Sequence, residues 1–521
     1  MAIILSVVAL VLAFAGGLGM VVLLGRPSSF SRAELCGMAV VLGAGLVSLS
    51  SFLLGILMYG WVLRSAVSVL CLGSLVIALR RDRGAFAVKL PERFVPSVAP
   101  ILTSVFAVAA LYLLVWISLY HSDLGWDGLF NWEAKTRTAF LNDGVFPFQA
   151  FSSGLLHTRY PLLVPLFGAW IYSWLGRVDQ SMLKLVGPFF YLGALLLLAG
   201  SARRLTGSPW AGALAVLILA AVPPTMIGGG SASSGYADWP LAVIYLCTLI
   251  ATLEYTRTNS APAARLAGVT LMLGIWTKAD MLVLLVCIAA VAAPRIIRER
   301  NWKLGLVIFL PALAMRFIWS VMLVVVKAPP DGDFHFRPHF DVAGMLLQNA
   351  LSEFIKWKQW GLFWPLLGLA VFLYVIRRHF SEVAVWTGGV ILPMILYPCV
   401  FIFSAWNPIH DHVASSLSRL FLQIVPAASL FIALTIHRVF EADNRGGRST
   451  LPLSQAGAGE DQAEILISAA AAVLQPIGIT ADDLRELYRR RLEAKSASEN
   501  SICRPQRPGK KNLGRTQRTS S

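Results

Sequence analysis

Apolar runs of about 20 residues follow one another along most of the chain, and that length matches a helix crossing a hydrocarbon core. Residues 2–24 form the first run, too long and too poor in early basic residues for a cleavable leader. Residues 35–79 are apolar enough for two short spans broken near Tyr59-Gly60, and 98–120 supply the next. Further spans are predicted near 183–202, 209–227, 239–256, 264–277, 280–294, 304–326, 361–376, 384–403 and 418–436. The pattern predicts an all-α polytopic membrane protein of about 13 transmembrane helices.

Two long polar intervals interrupt this pattern. The first, 121–182, opens with HSDLGWDGLFNWEAKTRTAFLNDGVFPFQAFSSGLLHTRYP, dense in acids, bases and tryptophans. The second, 327–360, contains VAGMLLQNALSEFIKWKQW, whose apolar residues recur at helical spacing and end on Trp357 and Trp360. That spacing predicts a helix lying in the membrane interface. Residues 1–440 thus read as one transmembrane domain. Beyond it, 441–459 is Gly/Ser-rich, 460–495 fits two short helices broken at Pro476-Ile477-Gly478, and the last 21 residues carry six basic and no acidic side chains. Residues 441–521 are expected to be a cytoplasmic, partly disordered basic tail without chemistry of its own.

Composition agrees with burial in lipid. Of 521 residues, 57% are hydrophobic and 14% charged, and mean hydropathy is +0.68; soluble domains carry about 25% charged residues. The six cysteines show no CxxC or metal spacing and read as small packing residues. The formal charge of +16 is distributed so as to orient the chain rather than to bind a specific nucleic acid. Counting crossings places Arg80–Arg83, Arg203-Arg204, Arg295–Lys303, Arg377-Arg378 and His437-Arg438 on one side, expected to be cytoplasmic. The intervals 121–182, 228–238, 277–281, 327–360 and 404–417 then fall on the other.

Four charges stand at the edges of apolar runs, where ionisable groups are costly and become functional candidates. Asp238 in SGYADWPLA opens a span, Lys278 and Asp280 interrupt one in GIWTKADML, and Arg419 in SSLSRLFLQIVP begins the last. All share the predicted face of the 121–161 stretch, so they are expected to converge on one pocket. The bland alternatives are a solvated tip for Lys278 and Asp280, and a headgroup-seeking side chain for Arg419. Tryptophans at span ends (126, 132, 357, 360 and 406) read individually as interface belt residues. His410 and His412 in HDH, and His335 and His339 in HFRPH, fall short of the four ligands a structural zinc site needs. No Gly-rich phosphate loop, Ser/His/Asp order or zinc-protease motif is present.

At these residues the chain resembles the C-type integral-membrane glycosyltransferases, the superfamily of protein O-mannosyltransferases and lipid A aminoarabinose transferases. The resemblance rests on Trp126-Asp127, Trp132 and Lys135 in the first loop, followed by Tyr160-Pro161-Leu162-Leu163. It continues with Tyr236–Leu241 (Tyr-Ala-Asp-x-Pro-Leu), Gly274–Lys278 (Gly-x-x-Thr-Lys), and the pair Ser416 and Arg419. It covers about 120 to 440 in pattern. Two features depart from it: Asp127 is followed by Gly128 rather than a second acid, and the loop follows the third or fourth span instead of the first.

The resemblance implies inverting transfer of a sugar from a polyprenyl-phosphate carrier to an extracytoplasmic acceptor (lipid, glycan or protein), at the bacterial inner (plasma) membrane. Such a reaction needs a carboxylate to take the acceptor proton and cations to steady the phosphate. Asp127 is the expected base, with Glu133 or Asp123 in reserve. Lys135, Arg137, Arg159, Lys278 and Arg419 are the phosphate-binding candidates, with Tyr160, Asp238 and Asp280 completing the substrate site. Trp132 and Lys135 would share a face of a short surface helix. A divalent metal is compatible with this chemistry as a cofactor, though nothing in the sequence demands one. The competing classes are a transporter or lipid flippase, and an O-antigen polymerase or ligase. The first is disfavoured because WDGLFNWEAKTR has no counterpart in the C-terminal half. The charge distribution predicts that a phosphatase reporter fused after Val145 is active and one after Arg83 silent; the reverse pattern overturns the orientation.

Overall fold

Twenty-one α-helices and no β-strand occur among the described residues. The computed structural model describes residues 1–82, 98–120, 123–152, 157, 159–329, 338–376 and 382–446, with 480–483, 485–486, 489–490 and 493 in the C-terminal stretch. His121, Arg83, His335, the Arg377-Arg378 pair, the 447–459 part of the linker and most of the expected tail helices lie outside the described residues. The helices are α1 (Ala2–Leu23), α2 (Arg32–Leu54), α3 (Gly60–Arg81), α4 (Val98–Tyr120), α5 (Ala134–Leu141), α6 (Phe148–Ser152) and α7 (Leu163–Leu175). They continue with α8 (Gln180–Leu183), α9 (Val186–Thr206), α10 (Pro209–Ala220), α11 (Asp238–Thr258), α12 (Ala261–Thr277), α13 (Met281–Glu299) and α14 (Trp302–Val325). The last seven are α15 (Ala343–Phe354), α16 (Trp357–Trp360), α17 (Phe363–Ile376), α18 (Val383–Trp386), α19 (Leu392–Val400), α20 (Ile409–Leu422) and α21 (Val425–Gly446).

The chain is an all-α polytopic membrane protein. Nine helical runs among the described residues are long and apolar enough to cross a membrane, and the α20–α21 pair, bent by 46°, makes a tenth. The shorter apolar helices α7, α10 and α17 stand beside them. The expected count of about 13 took in α10, α12 and α17, of 12, 17 and 14 residues, which fall short of that length, and did not include α7. The 35–79 stretch, expected as two short spans, is two full ones, α2 and α3, of 23 and 22 residues.

Burial sorts the helices into a centre and a periphery. α11 is the pillar: 94% of its apolar window is buried, against 17% for α4 and 22% for α14. Val105, Val108 and Tyr112 of α4, and Phe317, Val324 and Val325 of α14, are more than half exposed. So much outward apolar surface is stable only against lipid. Within 121–182 lies α7, which the polar reading of that interval did not predict. Its residues from Leu163 to Tyr172 are buried against α1, α2 and α5.

Local signals set the ends of the helices. Ser31 and Glu34 form a reciprocal capping box at the start of α2. Asn301 caps α14 through its side chain. Gly207, at φ +74°, closes α9 in the left-handed conformation. The crossing of α1 and α2 depends on missing side chains: a Cβ on Gly17 would overlap the Ala39 carbonyl oxygen, and one on Gly43 the Ala13 carbonyl oxygen. Such small-residue contacts let backbones approach where lipid offers no hydrophobic drive.

Contacts divide the chain into Met1–Glu441 and Ala442–Ser521. In the second unit the described residues form helical turns with pairs such as Arg485–Asp482 and Arg490–Glu486.

Gly43→Ala should destabilise the protein by about 1–3 kcal/mol, the usual cost of overpacking. Gly73→Ala, where a Cβ meets nothing within 4 Å, should be neutral or stabilising. Thermal unfolding in detergent compares the two; equal melting would show that α1 and α2 separate freely.

Candidate functional site

The pillar helix α11 begins on a carboxylate. Asp238 is its first residue, fully buried at the positive end of the helix dipole. Its Oδ1 accepts from Lys278 Nζ at 2.8 Å and from Gln423 Nε2 at 2.9 Å, and its Oδ2 accepts from Arg419 Nη2 at 3.1 Å. The three partners come from two places. Lys278 stands just after α12, with extended backbone, and Arg419 and Gln423 lie one turn apart where α20 ends.

The network extends outward from Asp238. Asp280 Oδ2 is 2.8 Å from Lys278 Nζ and accepts from Gln423 Nε2 at 2.9 Å. Arg419 Nη2 also reaches Asp127 Oδ2 at 2.7 Å, and its guanidinium lies over the Tyr236 ring, 4.5 Å from the centroid. The Tyr397 hydroxyl donates to Gln423 Oε1 at 2.6 Å. Side-chain exposure rises through the cluster, from 0% at Asp238 and 7% at Lys278 to 17% at Arg419, 23% at Asp280 and 25% at Asp127. The site therefore has a dry foot and an open mouth.

These contacts separate the two readings of each charge. Lys278 is a buried cation held by two carboxylates, not a solvated tip, and Arg419 is fixed by two acids rather than reaching for a headgroup. Two cations against three carboxylates leave the cluster formally one charge negative. Arg419 Nε is buried and has no hydrogen-bond partner among the described residues.

Asp127 is presented by the 123–133 segment, which is tied to the Ser-rich 231–236 turn. The Gly125 amide donates to the Ser234 carbonyl at 3.1 Å, and the Asp127 amide donates to the Tyr236 hydroxyl at 3.2 Å. A π-helical turn over Gly128–Glu133 then leads into α5. A Cβ on Gly128 would overlap the Ser234 carbonyl oxygen, so the second acid of the resembled family has no room here. Burial pushes the Tyr236 hydroxyl up from its ordinary value, against the pull of the Asp127 amide and Arg419. It stays a neutral donor at the edge of the cluster.

The other expected residues have different surroundings. Lys135 is buried; its Nζ donates to the carbonyls of His157 at 2.6 Å and Tyr160 at 3.4 Å and lies 5.5 and 5.4 Å from the Trp132 and Tyr160 ring centres. Tyr160 stacks between Trp132 and His157, at 5.6 and 5.0 Å. Trp132 and Lys135 do share a face, and that face is turned inward at 1% exposure, while Arg137 and Leu141 stand on the open side of α5. Arg159 donates to the carbonyls of Pro329 at 2.7 Å and Ala328 at 3.5 Å. Asp123 is exposed and Arg137 half-exposed. Glu133 is buried, its Oε1 4.0 Å from Arg137 Nε and 3.5 Å from the Tyr172 hydroxyl. Burial pushes its carboxyl above the usual range, with Arg137 partly offsetting. The folded state thus binds the proton more tightly, and this group costs stability as pH rises through that raised value. Neither Glu133, Arg137 nor Arg159 enters an ion pair with the Asp238 cluster.

Gln423 and Tyr397 join the site without having been singled out from the sequence, and Tyr236 was named there only as part of the Tyr-Ala-Asp-x-Pro-Leu element. Gln423, four residues after Arg419 in an apolar run, was the readable signal. Arg316 is another. It lies inside α14, half-buried, feels the charge of Arg159, and its guanidinium has no acid or hydrogen-bond partner among the described residues. Beside it the outer face of α14 forms an apolar groove of about 690 Å³ with Phe148, Phe317, Val321 and Val325 in its wall.

Among the described residues no three His, Cys, Asp or Glu side chains come together as metal ligands. His412 bonds Ser404 at 2.7 Å and stacks on Trp406, while His410 is exposed. Trp126, Trp357 and Trp406 are exposed as belt residues are, whereas Trp132 and Trp360 are interior. The chain matches no protein-family model and no curated protein.

Lys278→Met strands Asp238 without its closest cation and should cost about 3–5 kcal/mol, the range for breaking a buried pair. Asp238→Asn combined with Lys278→Met should recover part of that loss. Thermal unfolding of the single and double variants checks both; wild-type melting of Lys278→Met would mean that the pair bears no weight.

Proposed function

We propose that the protein is a membrane glycosyltransferase that moves a sugar from a polyprenyl-phosphate carrier to an acceptor outside the cytoplasm, in a bacterial inner membrane. The observation that carries the reading is Arg419, one guanidinium shared between the buried Asp238 and the half-open Asp127. Asp238 fixes the cation, and the cation holds a carboxylate at the mouth of the site. Asp127 is the base that takes the acceptor proton. Arg419, with its unpartnered Nε–H, steadies the phosphate as the sugar leaves.

The charge balance adds a step. A cluster already one charge negative repels a phosphate, so carrier binding exchanges Asp127 for phosphate on Arg419. That exchange frees the Asp127 carboxylate for the acceptor hydroxyl. Tyr236, neutral and over the guanidinium, donates to whichever oxygen replaces it. The lipid end of the carrier suits the α14 groove, beside the cations Arg159 and Arg316.

The test is transfer from radiolabelled polyprenyl-phosphate sugars to endogenous acceptors in membrane vesicles that carry the full-length protein, compared with vesicles that lack it. Asp127→Asn should lower transfer by about 100- to 10,000-fold, the usual contribution of a general base, with donor binding retained. Transfer at the wild-type rate sinks the base assignment. No transfer by the wild type from any donor would point instead to transport.

A further inference from the structure

At the open end of α3 a second pair of charges faces one cavity, apart from the Asp238 cluster. The cavity, about 180 Å³, lies between the end of α2, the first turns of α3, the 140–144 turn and α7. Arg64 and Asp143 line it together with Trp61, Phe140, Trp170 and Ser173. Arg64 is an arginine one turn into an apolar helix, a position that is costly without a partner.

The Arg64 guanidinium is held in place, Asp143 is held by its backbone on an exposed turn, and neither charge is neutralised among the described residues. Arg64 Nη1 donates to the Ser173 carbonyl at 2.7 Å, and the guanidinium lies 5.5 Å from the Trp174 ring centre. No carboxylate among the described residues pairs with it. Asp143 sits at φ +57°, and its carbonyl accepts the Gly60 amide at 2.8 Å. Its carboxylate is beside Gly60, where an added Cβ would lie 3.7 Å from Oδ1, and it makes no ion pair or hydrogen bond among the described residues. Two opposite charges line one cavity without pairing. Their natural complement is a ligand that carries both.

We propose that this cavity binds the headgroup of a zwitterionic phospholipid with a primary ammonium, its phosphate on Arg64 and its ammonium on Asp143. Three features favour a lipid over a soluble zwitterion. The site opens at the end of a membrane-spanning helix. Trp61, in the first turn and 71% exposed, stands where interface tryptophans stand. Tyr59 and Val62 leave an apolar flank beside the mouth for acyl chains. Asp143 supplies the selectivity: it repels an anionic glycerol headgroup, and a quaternary ammonium has no N–H to give it. The site is independent of the proposed sugar transfer.

The test incubates the full-length protein in detergent with equimolar phosphatidylethanolamine, phosphatidylcholine and phosphatidylglycerol, and quantifies the retained lipids by mass spectrometry. The wild type should retain phosphatidylethanolamine about tenfold over phosphatidylglycerol, the equivalent of one charge-assisted hydrogen bond. Asp143→Asn should abolish the preference and Asp143→Lys should invert it; both changes fall on an exposed turn, so the test stands even if Arg64→Gln fails to fold. Equal retention by the wild type, or a preference untouched in both Asp143 variants, overturns the proposal. Displacement of the bound lipid by free O-phosphoethanolamine at low millimolar concentration would overturn the lipid assignment in favour of a soluble ligand.

Discussion

The constraint on which the rest depends is the burial of one carboxylate, Asp238, at the head of the most enclosed helix. An ion there is affordable only with its lone pairs filled and its charge balanced. That requirement explains why α12 stops at Lys278, why Arg419 and Gln423 point back from the end of α20, and why the 123–133 segment is drawn in through Asp127. The head of α11 and the end of α20, more than 100 residues apart in sequence, meet because that anion needs donors, and Arg419 carries the link on to Asp127 as its second acid.

The hierarchy of contacts also says what can move. Asp238 has three donors and no exposed surface, whereas Asp127 is held through its carboxylate by Arg419 alone among the described residues and is a quarter exposed. The loop can therefore release Asp127 while Arg419 stays anchored. Lys135 works in the opposite sense. Bound to two carbonyls and flanked by aromatic rings, it ties His157 and Tyr160 to α5.

Much of this was legible in the sequence, and the residues that were not share a reason. Hydropathy marks helices because length and apolarity are local properties, so α1, α4, α9 and α14 stand where periodicity places them. Asp238, Lys278, Asp280 and Arg419 were visible because a charge in an apolar run has few innocent explanations. Gln423 and Tyr397 were not, since an uncharged polar side chain in such a run is common and its partner comes from elsewhere in the chain. Arg64 stands one turn into α3 and reads as part of a span end, whereas Arg316 stands in the middle of α14, where the rule that marks Asp238 applies equally. α7 was hidden by its setting: 13 apolar residues inside a polar interval look too short to be buried, until packing against α1, α2 and α5 encloses them.

A comparison within the molecule sharpens the distinction between scaffold and site. Near its other end α11 carries a second buried acid, Glu254, about 24 Å from Asp238 at 1.5 Å per residue, so the two networks lie towards opposite faces of a membrane about 30 Å thick. There Arg204 bonds Glu34 and Glu254, Ser201 donates to Glu34, and Ser29 donates to Glu254. This explains why Arg204, read from the sequence as an orienting surface charge, contributes little free charge to that face. Its side chain is 11% exposed and both acids are at most 3% exposed, so the network is shut. The Asp238 cluster uses the same chemistry but leaves Asp127 and Asp280 open to the mouth. Buried ion pairs alone would mark both ends of α11 as candidates; access marks one.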